Sequence, residues 1–220
     1  MPKQTFFNLP EEKRQKIIDL AIEEFSINTY SKASLSNVVA RAGIAKGSMY
    51  QYFEDKKDLY TYLVELAAQK KMSYIQRHKL DQDDFFQMLE QLVMAGTQYN
   101  LENPKLGQLM ASIMDPMAES FLRELYAGLR KQSYQYMYNL ILENQQQGKL
   151  RKDVDPYLTA HLINGLLGNG LVEYFLERLN VNYYEFLTNP QVLQGISNED
   201  IERVIKDIIK FIRNGLEGGK

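Results

Sequence analysis

Between Phe25 and Phe53 the chain carries three cations, Lys32, Arg41 and Lys46, and no aspartate or glutamate, although acidic residues crowd both flanks. Lys56 and Lys57 follow just beyond, and Lys46, Ser48, Tyr50 and Tyr52 stand at alternate positions inside the window. Ammonium and hydroxyl groups are hydrogen-bond donors suited to phosphate oxygens. Each lysine that neutralises a phosphate also releases counterions, whereas a carboxylate on the same face would repel the polyanion. The chemistry implied is contact with DNA. Gly47 agrees with this, because glycine inside a helix is worse than alanine by about 1 kcal/mol, and close approach of backbone to DNA accounts for keeping it. Plainer readings exist for each residue. Tyr50 and Tyr52 could be packing aromatics, Lys46 a solvated surface lysine, and Lys56 an ordinary first-turn residue after Asp55.

Bond-making chemistry finds little to work with. Two histidines, His78 and His161, no cysteine, no glycine-rich phosphate loop after a strand, and no HExxH or GxSxG pattern leave no catalytic or metal-ligating set. No cofactor is implied. An enzyme, such as a helical lipid-handling protein with a vestigial DNA-binding segment, is the competing reading.

Two short helices must position the cationic window. Leu35, Val38, Val39 and Ala42 fall at i, i+3, i+4 and i+7, one apolar stripe, and Ser34 precedes them as a favoured N-cap. Gly43 ends that helix, since glycine takes the left-handed conformation without a Cβ clash. The second helix begins near Ala45 and carries Lys46, Ser48, Tyr50 and Tyr52 outward, with Met49 and Phe53 anchoring its other side. Ahead of both, Ile17, Ile18, Ala21, Ile22 and Phe25 give a longer helix, roughly 10–25, its packing face. The result is a three-helix, homeodomain-like helix-turn-helix.

The run Ala21–Phe25, Tyr30, Ser34, Val38, Ala42-Gly43-Ile44, the stretch Lys46–Phe53 and Lys56–Leu59, in that order and spacing, resembles the N-terminal signature of the TetR/AcrR family of bacterial transcriptional regulators. Thr29, Ala33 and Ala45 depart from the family pattern, the last by removing a serine cap typically worth about 1 kcal/mol. The resemblance implies an all-α chain with a DNA-binding domain over residues 1–55 and a helical effector-binding and dimerisation domain over 56–220. It implies a cytoplasmic, ligand-responsive regulator, usually a repressor, that binds an operator as a homodimer. DNA contact then falls to Ser34, Lys46, Gly47, Ser48, Tyr50, Tyr52 and Lys56, the last as a phosphate clamp.

Composition sets wider bounds. The chain has 220 residues, 45% hydrophobic and 25% charged, enough for one large or two small cores. A formal net charge of -2 excludes a generally basic coat, so DNA affinity must come from local charge and two-fold repetition. No apolar run is long enough to span a membrane, and the opening residues carry no hydrophobic signal core.

Beyond Lys56 the pattern is helical to the end. Asp55 and Asp58 resemble a capping box opening a helix to about His78, the segment 81–84 opens the next, and Asn103-Pro104 and Asp115-Pro116 break the chain. A long helix then reaches about Gln147, and a polar turn leads to Pro156 at a helix start. Gly165, Gly168 and Val172 share a face open to close helix approach, and the last helix carries a wide stripe that includes Ile208 and Ile212. By resemblance these five residues belong to a four-helix dimer interface; intramolecular core is the alternative. Methionine and tyrosine are concentrated in the middle helices, and together they suit a pocket for an apolar or amphipathic effector as well as any core. The expected lining is Met88, Leu92, Met110, Met114, Met117, Tyr134, Met137 and Tyr138, with Asn164 and Glu173 orienting the ligand.

Overall fold

A computed structural model of the chain describes residues 1–78, 80, 81, 83–114, 118–182, 185, 189, 192 and 195–217. Their regular structure is helical, apart from an isolated bridge between Leu150 and Glu217. Met117 and the Asp115-Pro116 break lie outside the described residues.

Helix α1 (Gln4–Phe7) is a single turn that apolar periodicity does not reveal. Helix α2 (Glu11–Ile27) follows Pro10 with two glutamates in its first turn, where the exposed N–H groups favour negative charge. It buries Ile17, Ile18, Ala21, Ile22 and Phe25, the stripe expected from their spacing. Helix α3 (Leu35–Ala42) starts at Ser34, whose hydroxyl accepts from the Asn37 N–H at 3.4 Å. It stops at Gly43, left-handed at φ 72° and ψ 33°. Helix α4 (Lys46–Tyr52) follows Ala45, which supplies no side-chain cap.

The long helix α5 (Lys56–Arg77) opens on Asp55, which accepts the Asp58 N–H at 2.8 Å, while Asp58 reaches back to the Glu54 N–H at 3.1 Å. This is the capping box displaced by one residue. Asp84 performs the same task for α6 (Phe85–Glu102), accepting from Phe86 and Gln87. Asn103-Pro104 then breaks the chain into α7 (Pro104–Ser112), followed by α8 (Ser120–Gln146). Helix α9 (Pro156–Asn164) begins with Asp155 capping Leu158 at 2.6 Å. It runs through a π-helical turn, Gly165–Gly170, into α10 (Leu171–Leu179), and α11 (Asn198–Leu216) closes the fold.

Two compact units result, one of Met1–Ser73 with Asn100–Arg123, the other of Tyr74–Tyr99 with Glu124–Lys220. In the first, Phe6, Ile17, Phe25, Met49, Phe53, Leu59, Tyr60, Leu63 and Leu109 are fully buried. Helix α7 packs on α2, and Glu23 of α2 bridges Arg41 of α3 at 2.5 Å and Lys105 of α7 at 2.7 Å. Those partners, Lys105 foremost, hold the Glu23 carboxyl below the usual carboxylate range. In the second unit, Phe85, Leu89, Ile141, Ile163, Ile205 and Ile209 lie in the core, and Arg213 closes α11 onto Asp84 at 2.8 Å.

Candidate nucleic-acid interface

The turn at Gly43 aims α4. Its backbone N–H bonds back to Ala40 O and that of Ile44 to Val39 O, both at 3.2 Å, so the chain reverses sharply while the last carbonyls of α3 stay satisfied. Met49 and Phe53 are buried, and this seats the inner side of α4 in the core. Its outer side is then fixed by helical geometry. Lys46 and Gly47 are exposed, Ser48 is half-buried, and Tyr50 is 51% exposed.

Lys46, Tyr50 and Lys56 border one surface depression together with Leu35, Ser36, Val39, Met49 and Asp55. Ser36, exposed on α3, has no place in the sequence expectation. The stripe that buries Val38 and Val39 leaves position 36 outward, so the signal for it was present. Gly47 has no atom near the position a Cβ would take, so nothing in the protein itself requires glycine there. The half-buried Ser34 spends its hydroxyl on the α3 cap.

Tyr52 is corrected. It is 7% exposed and its ring lies 6.0 Å from that of Phe6, because two positions beyond Tyr50 the helix has turned about 200°. It packs the domain instead of facing outward. Lys56 is more constrained than a free clamp. Its ammonium donates to Ala33 O at 2.9 Å and Ser31 O at 3.3 Å and stands 4.6 Å from the Tyr30 ring centre. Two of its three N–H groups tie α5 to the loop before α3, leaving one for an outside oxygen.

The residues assigned to an effector are divided. Met110 and Met114 belong to the first unit, while Met88, Leu92, Tyr134, Met137, Tyr138, Asn164 and Glu173 belong to the second. Met88 and Met137 are buried, and Leu92 and Tyr138 half-buried. Tyr134 stacks on His161 at 5.2 Å. Asn164 is committed at both ends of its amide, accepting from Ser133 at 2.8 Å and donating to Ala160 O at 2.9 Å, which makes it a helix fastener. Glu173 is exposed on α10. Among the described residues no cluster of His, Cys, Asp and Glu could hold a metal.

The dimer set divides as well. Gly165 and Gly168 are exposed with no atom near a would-be Cβ, and Val172 and Ile208 are half-buried. Ile212 is corrected: at 5% exposure it joins Ile201, Ile205 and Ile209 on the inner face of α11. The outer face instead carries Val204, Ile208 and Phe211, the last 72% exposed.

Residues 17–63 match the model for bacterial regulatory proteins of the tetR family. A crystal structure of a TetR family transcriptional regulator from Chloroflexus aurantiacus is 33% identical, with a TM-score of 0.68 and 99% of each chain covered. The chain belongs to the TetR family. It is a transcriptional regulator with a DNA-binding helix-turn-helix and not an enzyme, so the vestigial-domain alternative falls. Similar TetR-type proteins include the probable acrEF/envCD operon repressor of Escherichia coli, 27% identical over 173 residues that cover 74% of this chain and 76% of the repressor. The fold is shared also with the SmeT–triclosan complex, at 18% identity, a TM-score of 0.70 and coverage of 94% and 92%.

Proposed function

We propose that this TetR-family chain represses transcription in the cytoplasm as a homodimer. Each copy lays α4 into the major groove of one half of a palindromic operator, the half-sites about 34–36 Å apart or a multiple of that. One observation carries the DNA-binding part. The outer side of α4 presents Lys46, Gly47 and Tyr50 beside Ser36, on a stretch free of acidic residues from Phe25 to Phe53. Ser34, Ser48 and the remaining N–H of Lys56 flank that surface. In this reading residues 1–55 form the DNA-binding domain, and residues 56–220 hold the effector and the partner subunit.

A small apolar or amphipathic effector releases the operator. The triclosan complex of a similarly folded protein supports a small-molecule effector, and Met88, Leu92, Met137 and Tyr138 are the retained candidates for its site. Operator and effector then weaken each other's binding equally, by a coupling typically about 1–3 kcal/mol. A second copy covers the exposed face that includes Gly165, Gly168, Val172, Ile208 and Phe211. No helix among the described residues is long and apolar enough to cross a membrane.

The test is Lys46→Ala, assayed on a duplex that the wild-type protein selects from random-sequence DNA. Affinity should fall, and the log–log dependence on salt should flatten by about 0.9 for each phosphate no longer neutralised. Unchanged affinity and slope would remove Lys46 from the interface.

A further inference from the structure

Helix α4 is short for the work assigned to it. Seven residues, a glycine at its second position and no side-chain N-cap leave it poorly supported from within its own sequence. Its C-terminal end is exceptional in the opposite sense. The last four carbonyls of a helix have no partner inside it. Here Met49 O accepts from the Phe53 N–H at 2.9 Å, and the other three are all taken by the N-terminal segment of the chain. The Lys3 ammonium donates to Tyr50 O at 2.8 Å, the Thr5 hydroxyl donates to Gln51 O, and the Lys3 backbone N–H donates to Tyr52 O at 2.8 Å. The segment is fastened from behind by Phe6, fully buried with its ring 4.7 Å from Phe53 and 5.7 Å from Tyr62.

We propose that Lys3, Thr5 and Phe6 form the C-terminal cap of the recognition helix, supplied from a distant part of the chain, and that operator affinity depends on it. The physical reason is direct. A buried aromatic ring fixes where the segment sits, and three donors at fixed spacing then fix the end of α4 that carries Tyr50. Without them the last turn frays, and Tyr50 and Lys46 are presented over a spread of positions. Lys3 and Thr5 act here as positioning residues. The proposal rests on α4 being the helix that reads DNA.

The decisive comparison uses Thr5→Val, which removes a donor at constant shape and charge, and the double variant Lys3→Met/Thr5→Val. The probe is the duplex selected by the wild-type protein. Operator binding by the double variant should weaken at least tenfold, amide exchange across Tyr50–Phe53 in the free protein should accelerate, and the thermal midpoint and salt slope should stay near wild type. Lys3→Arg/Thr5→Ser should restore both affinity and protection. Affinity within twofold of wild type in the double variant overturns the proposal. So does weaker binding with unchanged exchange and a salt slope lower by about 0.9, because Lys3 would then be neutralising a phosphate itself. If the wild-type protein selects no duplex, the DNA reading of α4 fails, while exchange in the free protein still decides whether the cap exists.

Discussion

Lys71 occupies a position that only its neighbours explain. Along α5 the residues at 60, 64, 67, 71 and 75 follow one helical stripe, and four of them, Tyr60, Val64, Ala67 and Ile75, are buried. Lys71 is the fifth, itself only half-buried, and desolvation of its ammonium among these neighbours pushes it down to about 8 from an ordinary 10.5. The sign of the consequence follows from linkage. The folded state releases this proton first, so between about pH 8 and 10.5 the unfolded chain binds more protons and this residue's penalty on stability shrinks as pH rises. Below pH 8 the penalty is complete. Replacing Lys71 with Met should therefore raise the thermal midpoint at pH 7, and the gap to wild type should narrow towards pH 10. Parallel melting curves across that range would count against that desolvation. Arg41, Lys105 and Glu23 illustrate the contrasting case, an exposed charge set whose attraction is screened by salt.

Turns decide more than lengths at the scale of the element. Gly43 sits where a Cβ meets nothing, so Gly43→Ala introduces only the left-handed backbone penalty, about 1–2 kcal/mol. Equilibrium unfolding should show that loss, and a neutral result would mean that the turn relaxes. The π turn between α9 and α10 gives a sharper contrast. A Cβ on Gly170 would lie 2.8 Å from the Gly165 carbonyl oxygen, while one on Gly168 would touch nothing. Gly170→Ala should destabilise by about 1–3 kcal/mol, as overpacking does, and lower the midpoint by about 2–4 °C per kcal/mol. Gly168→Ala should leave the unfolding of the single subunit unchanged or stabilised, since within one chain its Cβ meets nothing. Equal effects at the two positions would argue against a π turn. Apolar periodicity located α2, α3 and α5 because each buries one stripe. It had no means of finding the extra residue per turn in Gly165–Gly170, which spacing alone reads as ordinary helix.

For the whole molecule the open matter is the second copy. Phe211 is 72% exposed, Leu162 54% and Leu158 55%, more apolar surface on the second unit than isolated side chains would leave. Phe211→Glu with Leu162→Glu should yield a folded monomer in sedimentation and weaken operator binding strongly, because one copy reads only a half-site. Persistent dimers would place the interface elsewhere. Ile212→Glu should instead unfold the chain, since it sets an unpaired carboxylate in the core.

The family, the helical class and the exposure of Lys46 and Tyr50 on α4 were legible in the sequence. They depend on residues close together along the chain, where local spacing, caps and the absence of carboxylates speak directly. Which face of α11 is interior, the burial of Tyr52, the commitment of Lys56 to Ser31 and Ala33, and the bond from Asn164 to Ser133 were settled only in the tertiary structure. The same holds for Lys3 and Thr5 at the end of α4. Each of these depends on partners that packing brings together: the Phe6 ring against Tyr52, the turn before α3 against Lys56, the inner row of isoleucines against their core. A hydrophobic stripe announces that a helix buries a face, but its depth and its neighbours are properties of the packed chain.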